Sequence, residues 1–453
     1  MLQHHGHSRH MVVLWAAAAA VATFLAGSPF ISAVGMGLFA YLLVQLVYQW
    51  GKTVPIQNFI LAMAGLEWIV GAVLSYQGLG EHPKYYMYVS EKEYMWLAVP
   101  GLFGLTVGLQ GMARFWKRSV PQDVLHAVVE RVRRQSHLPY YLIGLGIAAS
   151  LLKRHVPESL DFVFWLLSNV KFVGVLYLLF SQDRKKWGVL AVAIILSGLS
   201  AMQAAMFFEF LLWTVFFSFY VAIIRGFSMK TKVGLLVIGF IGIIALQGMK
   251  MQYRKMIWYG TPDSETVLFA RLLGEELGMG GEEFLGNDAV GSTVIRINEG
   301  WIVSRIMQHV PQHTPFADGE TVFDAVYASL VPRFLDPDKT RAGGSEHFER
   351  FTGYELIRTS MGISVLGEGY ANFGVTGAWL FLGAYGALLG MGLGLLYSMC
   401  RRWPTLILWF PLIFLYPVKA EAELAKVLNH FVKSGLLTVG FFWFATNFLG
   451  WKM

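Results

Sequence analysis

A dozen apolar runs, each near the length of a membrane crossing, constrain this chain more than any motif does. They fall at about 11–26, 31–49, 55–76, 94–112, 138–152, 159–180, 188–206, 208–225, 233–249, 375–399, 404–419 and 432–450. Lipid offers backbone groups no hydrogen-bond partners, so a crossing segment must satisfy its amides internally, and a helix does so with roughly 20 apolar residues. Composition agrees: 55% of the 453 residues are hydrophobic and 14% are charged, where a soluble domain carries about a quarter charged residues. The expected fold is an all-α integral membrane protein with about twelve transmembrane helices.

Charge sets the orientation. Arg114, Lys117, Arg118, Arg131, Arg133 and Arg134 occupy one loop, and Arg184, Lys185 and Lys186 a second. Arg225, Lys230 and Lys232 occupy a third, and Arg401 and Arg402 a fourth. All four loops share a side with the N-terminus, and an excess of basic loop residues marks the cytoplasmic side. Both termini are then cytoplasmic. The net charge of +7 belongs to these loops, and no nucleic-acid partner is expected.

Residues 1–249 read as an N-terminal membrane bundle of about nine spans and 375–453 as about three more. Between them, 250–374 reads as one long, partly helical outer loop, periplasmic or extracellular. The single cysteine, Cys400, excludes an intrachain disulfide and a cysteine-built metal site. Four histidines in MLQHHGHSRH read as a disordered cytoplasmic tail more readily than as a metal site.

The outer loop carries the chemistry-bearing residues. Ile295, Ile302 and Ile306 predict a helix over 292–310, ended by Pro311, with Asn298, Trp301, Arg305 and Gln308 on one face. Arg296 lies half a turn out of phase with Arg305, so a straight helix cannot aim both at one ligand. A second helix is expected over 319–331, stopped by Pro332. The turn-rich PRFLDPDKTRAGG then presents Arg333, Lys339 and Arg341. Such cations suit a polyanion, since guanidinium grips phosphate oxygens two at a time. The competing reading is salt bridging to Glu275, Glu276, Glu282, Glu283 and Asp288.

Asp336-Pro337-Asp338 has the form of a metal-holding acidic pair, but its proline and the adjacent Lys339 favour a turn, and no metal site is expected. In GEGYANFG at 367–374, Glu368 is a candidate general base, with a helix-capping or salt-bridging role as the alternative. His309 is the second candidate base. Tyr370 and Asn372 suit sugar hydroxyls or interfacial anchoring. Gly386, Gly390 and Gly394 predict close helix packing rather than a phosphate loop.

Arg296 ahead of a helix, the run Pro332-Arg333…Asp338-Lys339 and the run Gly367-Glu368-Gly369-Tyr370-Ala371-Asn372-Phe373-Gly374 before a span together resemble Wzy-type polysaccharide repeat-unit polymerases. These enzymes are similar in architecture to GT-C glycosyltransferases. The resemblance covers about 80 residues. It implies transfer between undecaprenyl-pyrophosphate-linked oligosaccharides at the outer face of the bacterial inner (plasma) membrane. It implies substrate roles for Arg296, Arg333 and Lys339 and importance for Glu368 and Asn372. The implied partners are these lipid-linked sugars, membrane lipid and a chain-length-regulating membrane protein, and no cofactor is needed. One departure matters. Many relatives place an arginine in the outer turn between two middle spans, where this chain reads LSGLSAMQAAMFFEF, leaving Arg254 or Arg271 as a substitute.

No nucleotide sugar or ATP is supplied at the outer face, so the energy must arrive with a lipid-linked donor. Two other readings stand beside polymerisation. An O-antigen-ligase-like enzyme would use the same donor with another acceptor. A flippase or transporter of lipid-linked sugars would concentrate ionisable residues within its spans, where this chain has chiefly Glu67, Lys171 and Glu209.

Overall fold

The computed structural model describes residues 2–80, 82–116, 122–258, 260, 265–278, 287–331, 336, 345–356 and 361–451. Among these residues the chain is all-helical and has no strand. Eight helices are long and apolar enough to cross a membrane: Phe30–Gln49, Ile56–Tyr76, Glu91–Phe115, Leu160–Phe180, Lys186–Gln203, Phe208–Arg225, Met229–Ile257 and Ser364–Met399. This is the make-up of a multi-pass membrane protein.

The eight fall short of the twelve apolar runs for identifiable reasons. His10–Leu25 and Leu138–Leu152 are apolar but shorter. The run at 404–419 is not one helix: Pro404–Trp409 is a 3-10 turn, Phe410–Ile413 a single α-turn, and the rest loops back to Glu423. Pro404, Pro411 and Pro417 remove the amide donors that a continuous helix would use. The run at 432–450 falls mostly in the Leu424–Asn447 helix, with 448–450 beyond its end, and the first turns of that helix carry Lys426, Asn429, His430 and Lys433.

The chain divides into two compact units. The first comprises 1–58, 62–99 and 194–308. Its interior is set by close approaches that tolerate no side chain: a Cβ on Gly71 would lie 2.5 Å from the Ile297 carbonyl oxygen, and one on Gly80 would lie 2.9 Å from that of Gly291. The Ile56–Tyr76 helix is interrupted by a π-helical turn, Leu66–Val70. The expected helix over 292–310 breaks beside that turn into Asn287–Ile297 and Gly300–His309. The break is tertiary in origin. The Glu299 amide donates to the Glu67 carbonyl at 3.1 Å, and the Tyr94 hydroxyl caps the Trp68 carbonyl at 2.8 Å. A π-turn offsets carbonyls from their regular partners, and here outside donors supply them.

The second unit comprises 59–61, 100–193 and 309–453. Glycines bring its helices to backbone contact. Cβ atoms on Gly386 and Gly390 would lie 2.5 Å from the carbonyl oxygens of Leu105 and Leu109, so the four-residue glycine spacing is a helix-packing face. Gly146 meets Lys171, and Gly174 meets Pro139, in the same manner on the Leu138–Leu152 and Glu158–Phe180 pair. The Ser364–Met399 helix is broken at Gly374, with φ 66° and ψ −168°, a conformation open to glycine alone. The break falls immediately before Val375, where the apolar run begins, and separates a buried first part from the long apolar part.

Candidate functional site

The buried part of that helix carries a connected polar network. Glu368 is fully buried. One of its carboxylate oxygens accepts from the Thr321 hydroxyl at 2.9 Å, and the other accepts from the Leu424 amide at 2.9 Å. Asn372 lies one turn on, so both side chains share a helix face. Its amide nitrogen donates to Thr321 Oγ1 and to the Glu368 carbonyl, both at 2.8 Å, while its oxygen accepts from the Gly319 amide at 3.0 Å. The network therefore pins three stretches together: the 364–373 helix, the start of the Glu320–Leu330 helix and the start of the Leu424–Asn447 helix. With both oxygens engaged, Glu368 fixes position in this geometry.

His309 stands nearby in sequence and structure. Its Nε2 lies 3.1 Å from Thr314 Oγ1, and the Thr314 hydroxyl donates to the Arg350 carbonyl at 3.2 Å. A hydroxyl already donating must accept from the ring, so the network assigns the proton to Nε2 and leaves Nδ1 as an acceptor. His313 stacks on the imidazole at 4.9 Å, and the Tyr370 hydroxyl donates to the Val310 carbonyl at 3.1 Å. Beside them Glu423 is buried, 3.9 Å from both His347 and Lys426.

Arg350 grips Glu320 through two bonds of 2.9 Å. The bidentate bond to Arg350 holds the Glu320 carboxyl below its ordinary range. A carboxylate with a depressed folded-state value stabilises the fold above its unfolded value, and that contribution is lost as pH falls through the folded one. Because the pair is half-exposed, the contribution is at most about 1 kcal/mol. Arg350→Met is thus expected to cost at most about 1 kcal/mol at neutral pH, and to remove the equal part of the parent's acid-induced loss that arises below about pH 4.3. Acid unfolding followed by tryptophan fluorescence measures this; identical acid profiles for the two proteins would rule the coupling out.

In the first unit, two arginines meet at one turn. Arg254 Nε donates to the Ala205 carbonyl at 3.2 Å, and the Arg296 guanidinium lies 5.6 Å from the centre of the Phe208 ring. Ala205 and Phe208 belong to the turn between the Lys186–Ala204 and Phe208–Arg225 helices. The two cations are close enough to interact electrostatically, and Glu209 brings a carboxylate to the same helix start. Tyr253 anchors the arrangement from a buried cluster with Ala205, Phe207, Met249, Leu268 and Leu272.

Comparison with known families gives one match: a family described as a domain of unknown function, DUF8712, over residues 103–391. The chain belongs to the DUF8712 family. No curated protein and no solved structure matches it. The DUF8712 stretch contains Arg254, Arg296, His309, Thr321, Arg350, Glu368 and Asn372, whereas Lys419, Glu423 and His430 lie beyond it.

For this DUF8712 member, the second unit brings four of the expected site residues together: His309, Glu368, Tyr370 and Asn372. Arg296 and Arg305 belong to the first unit, where Arg305 lies over the Tyr88 ring at 5.2 Å. The helix break at 298–299 removes the straight-helix premise that kept these two arginines apart. Arg333, Lys339 and Arg341 lie outside the described residues. Asp336 accepts from the Tyr327 hydroxyl at 3.1 Å. Among the described residues no three His, Cys, Asp or Glu side chains gather as a metal site. Sequence reading missed Thr321 and Leu424 as partners of Glu368. A threonine one residue into a helix and a backbone amide carry no periodic signal.

Proposed function

We propose that this chain is a membrane glycosyltransferase that joins lipid-pyrophosphate-linked oligosaccharide repeat units. One observation carries the reading: Arg254 and Arg296 converge on the 205–208 turn, the place where the polymerases this sequence resembles carry an arginine. Cations drawn together by a folded scaffold favour an anionic ligand, and a pyrophosphate is matched to two guanidiniums. On this reading about twelve crossings put 250–374 at the outer face of the plasma membrane, with both termini inside. An acceptor sugar hydroxyl attacks the donor's anomeric carbon, the bond to pyrophosphate breaks with its electron pair, and the hydroxyl proton passes to a base. Cations that neutralise the leaving group dispense with a general acid.

The test uses purified protein in nanodiscs with undecaprenyl-pyrophosphate-linked repeat units. A ladder of longer lipid-linked glycans is expected, reduced about tenfold or more by either Arg254→Ala or Arg296→Ala, since a lost bond to a charged group costs about 1.5–3 kcal/mol. An undiminished ladder in the double variant would remove the assigned donor site. Product formed only with a different acceptor would make the protein a ligase.

Transport of the same lipid is the second reading, favoured by the buried Glu67 on a π-turn within a candidate span. Ionisable residues at membrane depth often mark transport pathways. Movement of the lipid-linked sugar across vesicles, with no bond made, would decide for it.

A further inference from the structure

The Glu320–Leu330 helix is turned inside out for a helix bathed in water. Its buried residues are small, and two of the four are polar: Thr321, Ala325, Ala328 and Ser329. Its exposed residues are large and apolar. Phe323 and Leu330 are 70% and 63% exposed, and Val326 and Tyr327 are 41% exposed each. Spacings of three and four place these four on one face. A helix with water on its outer side carries the opposite arrangement, apolar residues inward and polar residues outward. Small residues inward and large apolar residues outward is how helices pack in a bilayer, where backbones approach closely and acyl chains meet the outer face.

The fold holds this helix at the edge of a membrane span. The Ala317 and Asp318 amides donate to the carbonyls of Ala371 and Asn372 at 3.0 and 3.2 Å, just before the Gly374 break at which the apolar run starts. A Cβ on Gly319 would lie 3.6 Å from the Phe373 ring. That ring packs on Phe381 at 5.8 Å, next in sequence to Leu380, which is 78% exposed. The helix therefore begins where the lipid-facing surface of the Ser364–Met399 span begins, and it packs along the Leu424–Asn447 helix. Polar groups mark its other side. Glu320 pairs with Arg350 at the first turn, and the Tyr327 hydroxyl donates to Asp336. A helix of 11 residues is about 16 Å long, half of what the roughly 30 Å of hydrocarbon would require.

We infer that the Glu320–Leu330 helix rests at the head-group and acyl-chain boundary of the bilayer, with Phe323, Val326, Tyr327 and Leu330 against acyl chains and the Glu320–Arg350 pair toward water. An apolar face backed by polar groups is the make-up of a helix lying in that boundary, and tyrosine is favoured there. The occupant of the face is lipid itself. The inference does not depend on sugar transfer. Because Thr321 on this helix and the Gly319 amide at its start hold Glu368 and Asn372, the bilayer braces the polar network from outside.

The experiment places a bimane label on Phe323→Cys, Leu330→Cys or Glu346→Cys of the full chain in phosphatidylcholine nanodiscs. Each is made with Cys400→Ser, which removes the one native cysteine. At Phe323 and Leu330, nitroxide-labelled phosphatidylcholine is expected to quench the label. Iodide quenching there should be at least about fivefold weaker than for bimane-cysteine in water, because an ion is excluded from the acyl region. Glu346, exposed one turn from Arg350 on the Glu346–Thr352 helix, should show the reverse. Iodide quenching at Phe323 or Leu330 as strong as in water, shielding of both from both quenchers, as a covering second copy would give, or lipid quenching at Glu346 equal to that at Phe323 would each overturn the inference.

Discussion

Replacing Glu368 with leucine is expected to lower stability by roughly 4 kcal/mol, because the Thr321 hydroxyl and the Leu424 amide would each be left buried without an acceptor, at about 1–3 kcal/mol apiece. The isosteric Glu368→Gln should cost far less, about 1 kcal/mol, since its oxygen can still accept from Leu424 while the Thr321 hydroxyl turns away from the new amide. Thermal unfolding in detergent separates these outcomes, and glycan assays on the same preparations separate two roles for Glu368. Should the glutamine variant keep its melting temperature and lose all turnover, the carboxylate takes part in chemistry. Should both variants lose stability and turnover in parallel, it holds the 364–373 helix, the Glu320–Leu330 helix and Leu424 in register. A leucine variant as stable as the parent would show that the network contributes little.

The second large effect is expected where glycines meet backbone. In Gly386→Val/Gly390→Val, two β-branched side chains would press on the carbonyls of Leu105 and Leu109, where even a Cβ would be 2.5 Å away. Neither partner atom is the end of a flexible side chain, so the helices must separate. Overpacking costs about 1–3 kcal/mol per site, and the pair is expected to cost about 5 kcal/mol together. Gly111→Val, on the neighbouring helix where nothing lies within 4 Å, should be tolerated. Yield of monodisperse protein and melting temperature compare the two directly; equal losses would mean that helix propensity rather than close packing governs these positions.

Legibility in the sequence followed the range of the forces involved. The apolar runs, the Glu320–Leu330 helix and the boundary before Val375 were readable because lipid, periodicity and glycine act over a few residues. The break between Ile297 and Gly300 was not, since it depends on the Glu67 carbonyl, more than 200 residues away in sequence. The 404–419 run was readable as buried and apolar but not as an irregular backbone, for a related reason. Hydropathy reports that a segment is buried, not whether lipid or protein buries it. For the site, the GEGYANFG run pointed to Glu368 and Asn372, but only the fold supplies Thr321 and Leu424. Arg254 was named from the sequence beside Arg271 as a stand-in for an arginine absent from LSGLSAMQAAMFFEF, whereas its approach to the Ala205 carbonyl is supplied only by the fold.

The 3-10 turn and broken coil between Trp403 and Glu423 impose an order on biogenesis. Nearly every residue there is buried, and its irregular amides and carbonyls could not be left facing lipid. This stretch therefore cannot partition into the bilayer as a unit of its own when it leaves the ribosome. It must wait beside the membrane until the Leu424–Asn447 helix has emerged and can close the wall around it. A helix made after this stretch thus completes the packing of residues translated before it, and the two mature together.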